Sequence, residues 1–188
     1  MNRKKIGLGI LGVIVAGAVL AWLLFFHRGE TYIPDRQNEK RVDRNKNLKK
    51  VNQFLVEKDE ERIRSFIKRR GWDMKQTGTG LWYQINTDQP GKQIETGDYV
   101  KMNYEIRLLD GTLCYTSDST GAKQFLAGEQ ESIVGLQEGI QKLSEGDKAR
   151  FIIPPHLGYG LLGDEKRIPG RAILVYSVHI LKVGKQTD

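Results

Sequence analysis

The sequence predicts an α+β protein, a curved antiparallel sheet wrapped around one short helix, preceded by a single transmembrane helix and an amphipathic helix. Three patterns lead there. In Tyr99 to Leu108, Val100, Met102, Tyr104, Ile106 and Leu108 fall on one face and Lys101, Asn103, Glu105 and Arg107 on the other. That period of two marks a strand with one side on a core. In the closing run, Ala172, Leu174, Tyr176, Val178 and Ile180 share one apolar face. Between these strands, Leu136 to Leu143 reads as the short helix and Lys148 to Ile153 as a further strand.

A length of 188 residues fits one ordinary domain with accessories. The net charge of +7 is confined to one end: the first fifty residues hold 11 Lys and Arg against 4 Asp and Glu, and the rest balances at 19 against 19. Beside an apolar run, such charge reads as attraction to anionic headgroups, about 1 kcal/mol per basic side chain. No aromatic platform accompanies it, so no nucleic-acid partner is expected. Cys114 is the one cysteine, which rules out an internal disulfide framework.

Residues 1–27 are expected to form a membrane anchor. Ile6 to Phe26 carries no charge and matches a hydrocarbon core of about 30 Å. A cleaved signal peptide is the competing reading, with Arg3, Lys4 and Lys5 as its basic start and Ala16-Gly17-Ala18 as its cleavage box. Cleavage there leaves Val19 to Phe26 as a greasy new terminus, which favours the uncleaved anchor. The basic start places the remainder outside the cytoplasm, in the periplasm of a bacterial inner membrane, although Arg28, Arg36, Lys40, Arg41 and Arg44 flank the far side. Gly7 to Gly12 spells a dinucleotide fingerprint, but without a strand before it the match is a coincidence of small residues. Small residues at Gly12, Ala16, Gly17 and Ala21 suit a close-packed helix partner in a membrane complex.

Residues 28–46, polar and of mixed charge, read as a linker. Residues 47–71 form an amphipathic helix with Val51, Phe54, Leu55, Ile63, Phe66 and Ile67 at helical spacing. Lys68, Arg69 and Arg70 suit the negative end of its dipole, and Gly71 supplies its stop. Two readings of this helix stand: it packs on its own domain, or it is a dimerisation or docking arm. Residues 72–188 make the main domain, opening with an aromatic strand at Leu81 to Ile85, and Asp110-Gly111 joins the long strand to Thr112 to Tyr115. His27, His156 and His179 lack metal-ligand spacing, and no serine or cysteine sits in a nucleophile motif, so neither metal nor cofactor is expected.

The segment from Gly97 to Lys182 resembles the core of the FKBP-type peptidyl-prolyl cis-trans isomerases. The resemblance rests on Ile133-Val134-Gly135-Leu136 with Gly139, on Pro155 with Tyr159-Gly160, on Ile168-Pro169, and on the long last strand. It implies an FKBP-like sheet and an apolar, reagent-free site that loosens the bond before proline. It assigns Tyr104, Ile133, Tyr159, Ile168 and Tyr176 to the catalytic pocket. The Ile133 N–H and the Tyr159 hydroxyl would bond substrate carbonyls, and Tyr176 stands where Phe is common. Cys114, Tyr115, Phe125, Glu131, Ser132 and Leu136 complete the substrate edge and floor. The same residues also fit a plain core, Tyr104 and Tyr176 above all. Cys114-Tyr115 replaces the usual Phe-Asp pair, so the carboxylate contributed there is expected to be missing. Lys123 stands where an aromatic is common, and residues 163–167 are unusually charged.

Two functions follow from the resemblance. One is an isomerase tethered to the inner membrane, similar to gliding-motility-associated members, acting on proline-containing unfolded or nascent exported proteins. The other is a catalytically weak module that binds proteins as a holdase or as a subunit of a membrane complex.

Overall fold

The computed structural model describes Trp22, residues 36–129 and residues 132–185. The expected membrane anchor lies outside the described residues, Trp22 apart. Among the described residues no helix is long and apolar enough to cross a membrane. The chain divides into two compact units, residues 1–49 and 50–188. In the first, residues 36–49 are helical; the remaining description concerns the second.

Helix α1, Arg36–Arg70, begins before Asn47 and takes in part of the expected linker. Residues 36–46 hold Arg, Gln, Glu and Lys and neither Gly nor Pro. Their low apolar content argues against packing, whereas helix formation depends on propensity, which these residues have. The helix ends as the sequence predicts. Gly71 takes φ +64°, its N–H reaches the Lys68 carbonyl at 3.2 Å, and the Trp72 N–H reaches Ile67 at 3.2 Å. This paired closure needs a left-handed residue, which glycine supplies without a Cβ penalty.

Seven strands follow: β1 Lys75–Gln76, β2 Trp82–Thr87, β3 Asp98–Leu108, β4 Leu113–Thr116, β5 Lys123–Leu126, β6 Lys148–Ile153 and β7 Leu174–Lys185. They form one antiparallel sheet in the order β1-β2-β6-β7-β3-β4, with β5 also on β3. β3 therefore has β7 along one side and two short strands along the other: β5 against Tyr99–Met102 and β4 against Glu105–Arg107. At the hand-over, the Tyr104 N–H meets the Ser117 hydroxyl at 3.2 Å. Ser117 opens a one-turn helix, α2 Ser117–Thr120, between the two strands.

The concave face closes over helix α3, Val134–Ile140. Leu136, Ile140, Met102, Phe125, Phe151, Leu174 and Ile180 are all at most 2% exposed there. Glycine spacing makes this possible. A Cβ on Gly139 would meet the Phe151 ring at 2.9 Å, and one on Gly135 would meet Ile153 at 2.6 Å. The two glycines of the sequence motif thus let the helix backbone lie directly on β6.

On the convex face, Ile63, Phe66 and Ile67 of α1 pack on Trp82, Ile152, Ile173 and Val175. Phe66 meets Trp72 edge-on, ring centroids 5.4 Å apart. This part of the helix packs on its own domain, while Val51 and Phe54 remain exposed.

Candidate active site

A cleft of about 270 Å³ opens on the concave side between β3, β4, β7, α3 and the loop after β6. The period of β3 aims Met102, Tyr104 and Ile106 into it, and Tyr176 enters from β7. Leu136, 1% exposed, forms its floor. Tyr159 reaches in from the glycine-bounded loop.

The rings are held by polar contacts as well as by packing. The Tyr104 and Thr120 hydroxyls lie 2.9 Å apart. Burial pushes the Tyr159 hydroxyl above its ordinary range, partly offset by the neighbouring Tyr176. Tyr176 is pushed well up, first by burial and then by the neighbouring Tyr159.

A carboxylate does reach the cleft, although β4 itself contributes none. Tyr115 pairs with Ile106 and Leu113 with Arg107, leaving Cys114 as the extra residue of a bulge. Cys114 turns into the core at 1% exposure. Burial pushes its thiol up, with Asp164 and Asp110 adding to the effect, so it stays a protonated packing group. Tyr115 lines the cleft and donates its hydroxyl to Asp164, which comes from the loop before Ile168. The cleft thus does contain a carboxylate, brought from a different part of the chain.

Asp164 is built into that loop. One of its oxygens accepts the N–H groups of Lys166, Arg167 and Ile168 at 3.0, 2.9 and 2.7 Å. Burial works to raise its pKa, but the Tyr115 hydroxyl and these three N–H groups outweigh it and bring the pKa down to about 2. The reciprocal effect pushes Tyr115 up to about 12, through its hydrogen bond to Asp164, then burial, then the Asp164 charge.

Of the remaining candidates, Ile133, Ile168, Phe125 and Ser132 do not line the cleft. Ile133 caps α3, and its carbonyl accepts from Leu136 and Gln137. Among the described residues its N–H meets no acceptor. Ile168, 2% exposed, lies behind the loop in the core. Phe125, also 2% exposed, is covered by the Lys123 ammonium 5.5 Å from its centroid. Lys123 and Lys166 stand at the cleft. The Ser132 hydroxyl is buried and unpartnered among the described residues. Glu131 lies outside them. Asp164 is the residue that the sequence reading missed. Its signal was an aspartate two to four residues ahead of N–H groups in a charged loop, the setting of an Asx-type turn.

This architecture has known counterparts. Residues 91–181 match the family model described as FKBP-type peptidyl-prolyl cis-trans isomerase. The segment is an FKBP-type peptidyl-prolyl cis-trans isomerase domain, as the sequence resemblance implied. The probable FKBP-type isomerase FkpA of Neisseria meningitidis serogroup B is 36% identical over 148 residues, covering 79% of this chain and 52% of that one. A probable FKBP-type isomerase of Haemophilus influenzae is 34% identical over 119 residues, covering 63% of this chain and 49% of that one. Human FKBP9 is 38% identical over 88 residues, 46% of this chain and 15% of that protein. The chain thus spans about half or less of these curated relatives. The crystal structure of FkpA from Escherichia coli superposes with a TM-score of 0.60 at 23% identity over 98% of each chain. That of AtFKBP13 superposes with 0.56 at 24% identity, over 58% of this chain and 98% of the other.

Proposed function

We propose that the whole protein is a prolyl isomerase, tethered to a bacterial inner membrane, that assists the folding of exported or envelope proteins. The observation carrying the catalytic half is the open, ring-walled cleft lined by Tyr104, Tyr159 and Tyr176. Rotation of a peptide bond faces a barrier of about 18–20 kcal/mol, because twisting destroys amide resonance and its charge separation. A water-poor cleft favours the twisted, less polar amide, which is catalysis by differential binding. In this scheme Tyr104, Tyr176 and Leu136 enclose the proline ring. The Tyr159 hydroxyl and the Ile133 N–H hold the flanking carbonyls, and no reagent beyond the protein takes part.

The cellular half rests on the charge-free run Ile6 to Phe26 behind Arg3, Lys4 and Lys5. It places the domain in the periplasm, with proline-containing unfolded or nascent exported chains as clients. One observation favours the alternative, a catalytically weak binding module: Asp164 is already engaged by four donors and holds its loop rather than a substrate.

A protease-free isomerisation assay on the full-length chain tests the proposal. An accelerated rate that drops in Tyr159→Phe supports the enzyme; a rate equal to the spontaneous one leaves only the binding role. A reporter fused at the C-terminus tests the compartment, and a cytoplasmic signal would reverse the placement.

A further inference from the structure

Asp59 lies on α1, outside the segment matched to the family, yet it is only 6% exposed. Its Oδ2 accepts a 2.6 Å charge-assisted bond from Nη2 of Arg171, on the far side of the cleft loop. A carboxylate this deeply buried is costly to keep without a partner.

Arg171 is also one of only two described non-glycine residues with positive φ, at +59°. Left-handed backbone at a side chain of this size is strained and persists where surrounding contacts over-determine it. Two contacts do so here. The Asp59 bond fixes the guanidinium, and the Arg171 N–H donates to the Gly160 carbonyl at 2.8 Å. Gly160 directly follows Tyr159 and itself takes φ +61°. The loop that supplies Tyr159 and Asp164 is thus tied at its base by the Gly160 N–H on the Pro155 carbonyl at 2.9 Å and by Arg171, which is itself held by α1. Its outer end has separate ties, Tyr115 on Asp164 and Nη1 of Arg167 on the Cys114 carbonyl at 2.9 Å.

We propose that Asp59 and Arg171 are positioning residues for prolyl isomerisation: their ion pair clasps the base of the loop and sets where the Tyr159 hydroxyl stands in the cleft. The inference rests on the isomerase reading above and extends it, since it makes the N-terminal helix part of the working site. Neither residue touches substrate. The path is through bonds, from Asp59 to the Arg171 side chain, from the Arg171 N–H to Gly160, and so to Tyr159.

The test uses the full-length chain and the variants Asp59→Asn and Arg171→Gly. Glycine accepts the left-handed backbone, so Arg171→Gly removes the clasp without adding strain. In a protease-free assay on a proline tetrapeptide, each variant is expected to lose about tenfold in kcat with KM within about twofold, the signature of a transition-state contact moved out of place. In a Tyr159→Phe background the Asp59→Asn effect should disappear, because the group being positioned is gone.

Amide exchange gives a second readout that needs no activity. In Asp59→Asn, the Arg171 and Asp164 amides should exchange at least tenfold faster than in the parent, while those of β3 do not. Unchanged kcat and unchanged loop exchange, with only a lowered melting temperature, would overturn the clasp and leave a structural ion pair. A parent chain no faster than the spontaneous rate would sink the isomerase reading instead, and the exchange data would still decide the clasp.

Discussion

The two faces of the sheet solve different problems with the same alternation. On β7, Tyr176 points into the cleft while its neighbour Val175 points at α1. The concave side is packed tightly enough for a glycine helix to rest on Phe151, and it stays open at one place, where ring hydroxyls and Asp164 gather. The convex side is covered by Ile63, Phe66 and Ile67 of α1 together with Trp72 and Met74 just beyond it. Beyond that patch it carries polar groups such as Asn103, Lys148 and His179. A dense interior thus frames a site by being left incomplete, whereas the outer face is covered by α1 and the segment that directly follows it.

The largest break should come from the dense side. Phe151→Ala removes a ring with 0% exposure beneath Gly139 and is expected to cost about 3–5 kcal/mol, read from denaturant midpoints. Phe66→Ala on the convex side, 5% exposed, should fall at the low end of that range, about 3 kcal/mol. Equal costs would mean the two faces are equally packed.

Acid sharpens the comparison at the cleft. Asp164 is held at about 2 against an ordinary 3.8. Its contribution is therefore complete above pH 3.8 and is lost as pH falls through about 2. Titrating stability downward should show this loss in the parent and not in Asp164→Asn. The same variant should bring the Tyr115 phenol, held at about 12, back toward 10, as followed by ultraviolet absorbance. Tyr159→Phe should lower kcat/KM about tenfold, a loss of about 1.4 kcal/mol of transition-state binding, with little change in melting temperature. The smallest effect is expected at Val51→Ser, on an exposed position of α1, within about 0.5 kcal/mol by the same denaturation.

What the sequence made readable was whatever repeats. The alternation of β3 and β7 placed Tyr104 and Tyr176 on the inner face, and the family resemblance carried by Gly135-Leu136 and Gly139 placed Leu136 beneath the cleft. Loops do not repeat, and there the reading was incomplete. Asp164 has no periodic partner, and its pairing with Tyr115 spans a separation that no local pattern encodes. Cys114 and Tyr115 both reach inward because β4 bulges, which simple alternation cannot anticipate. Helix α1 ran further toward the N-terminus than its apolar spacing indicated, since backbone propensity there acts without packing.

The hand-over along β3, from β5 to β4, leaves Tyr104 with a hydroxyl group where a neighbouring strand would otherwise bond. Length changes in the short connection around Ser117–Thr120 can therefore be absorbed without breaking a ladder rung. Relatives that differ in how wide the cavity gapes are expected to differ there, in the spacing between two short strands, before they differ in the rings themselves.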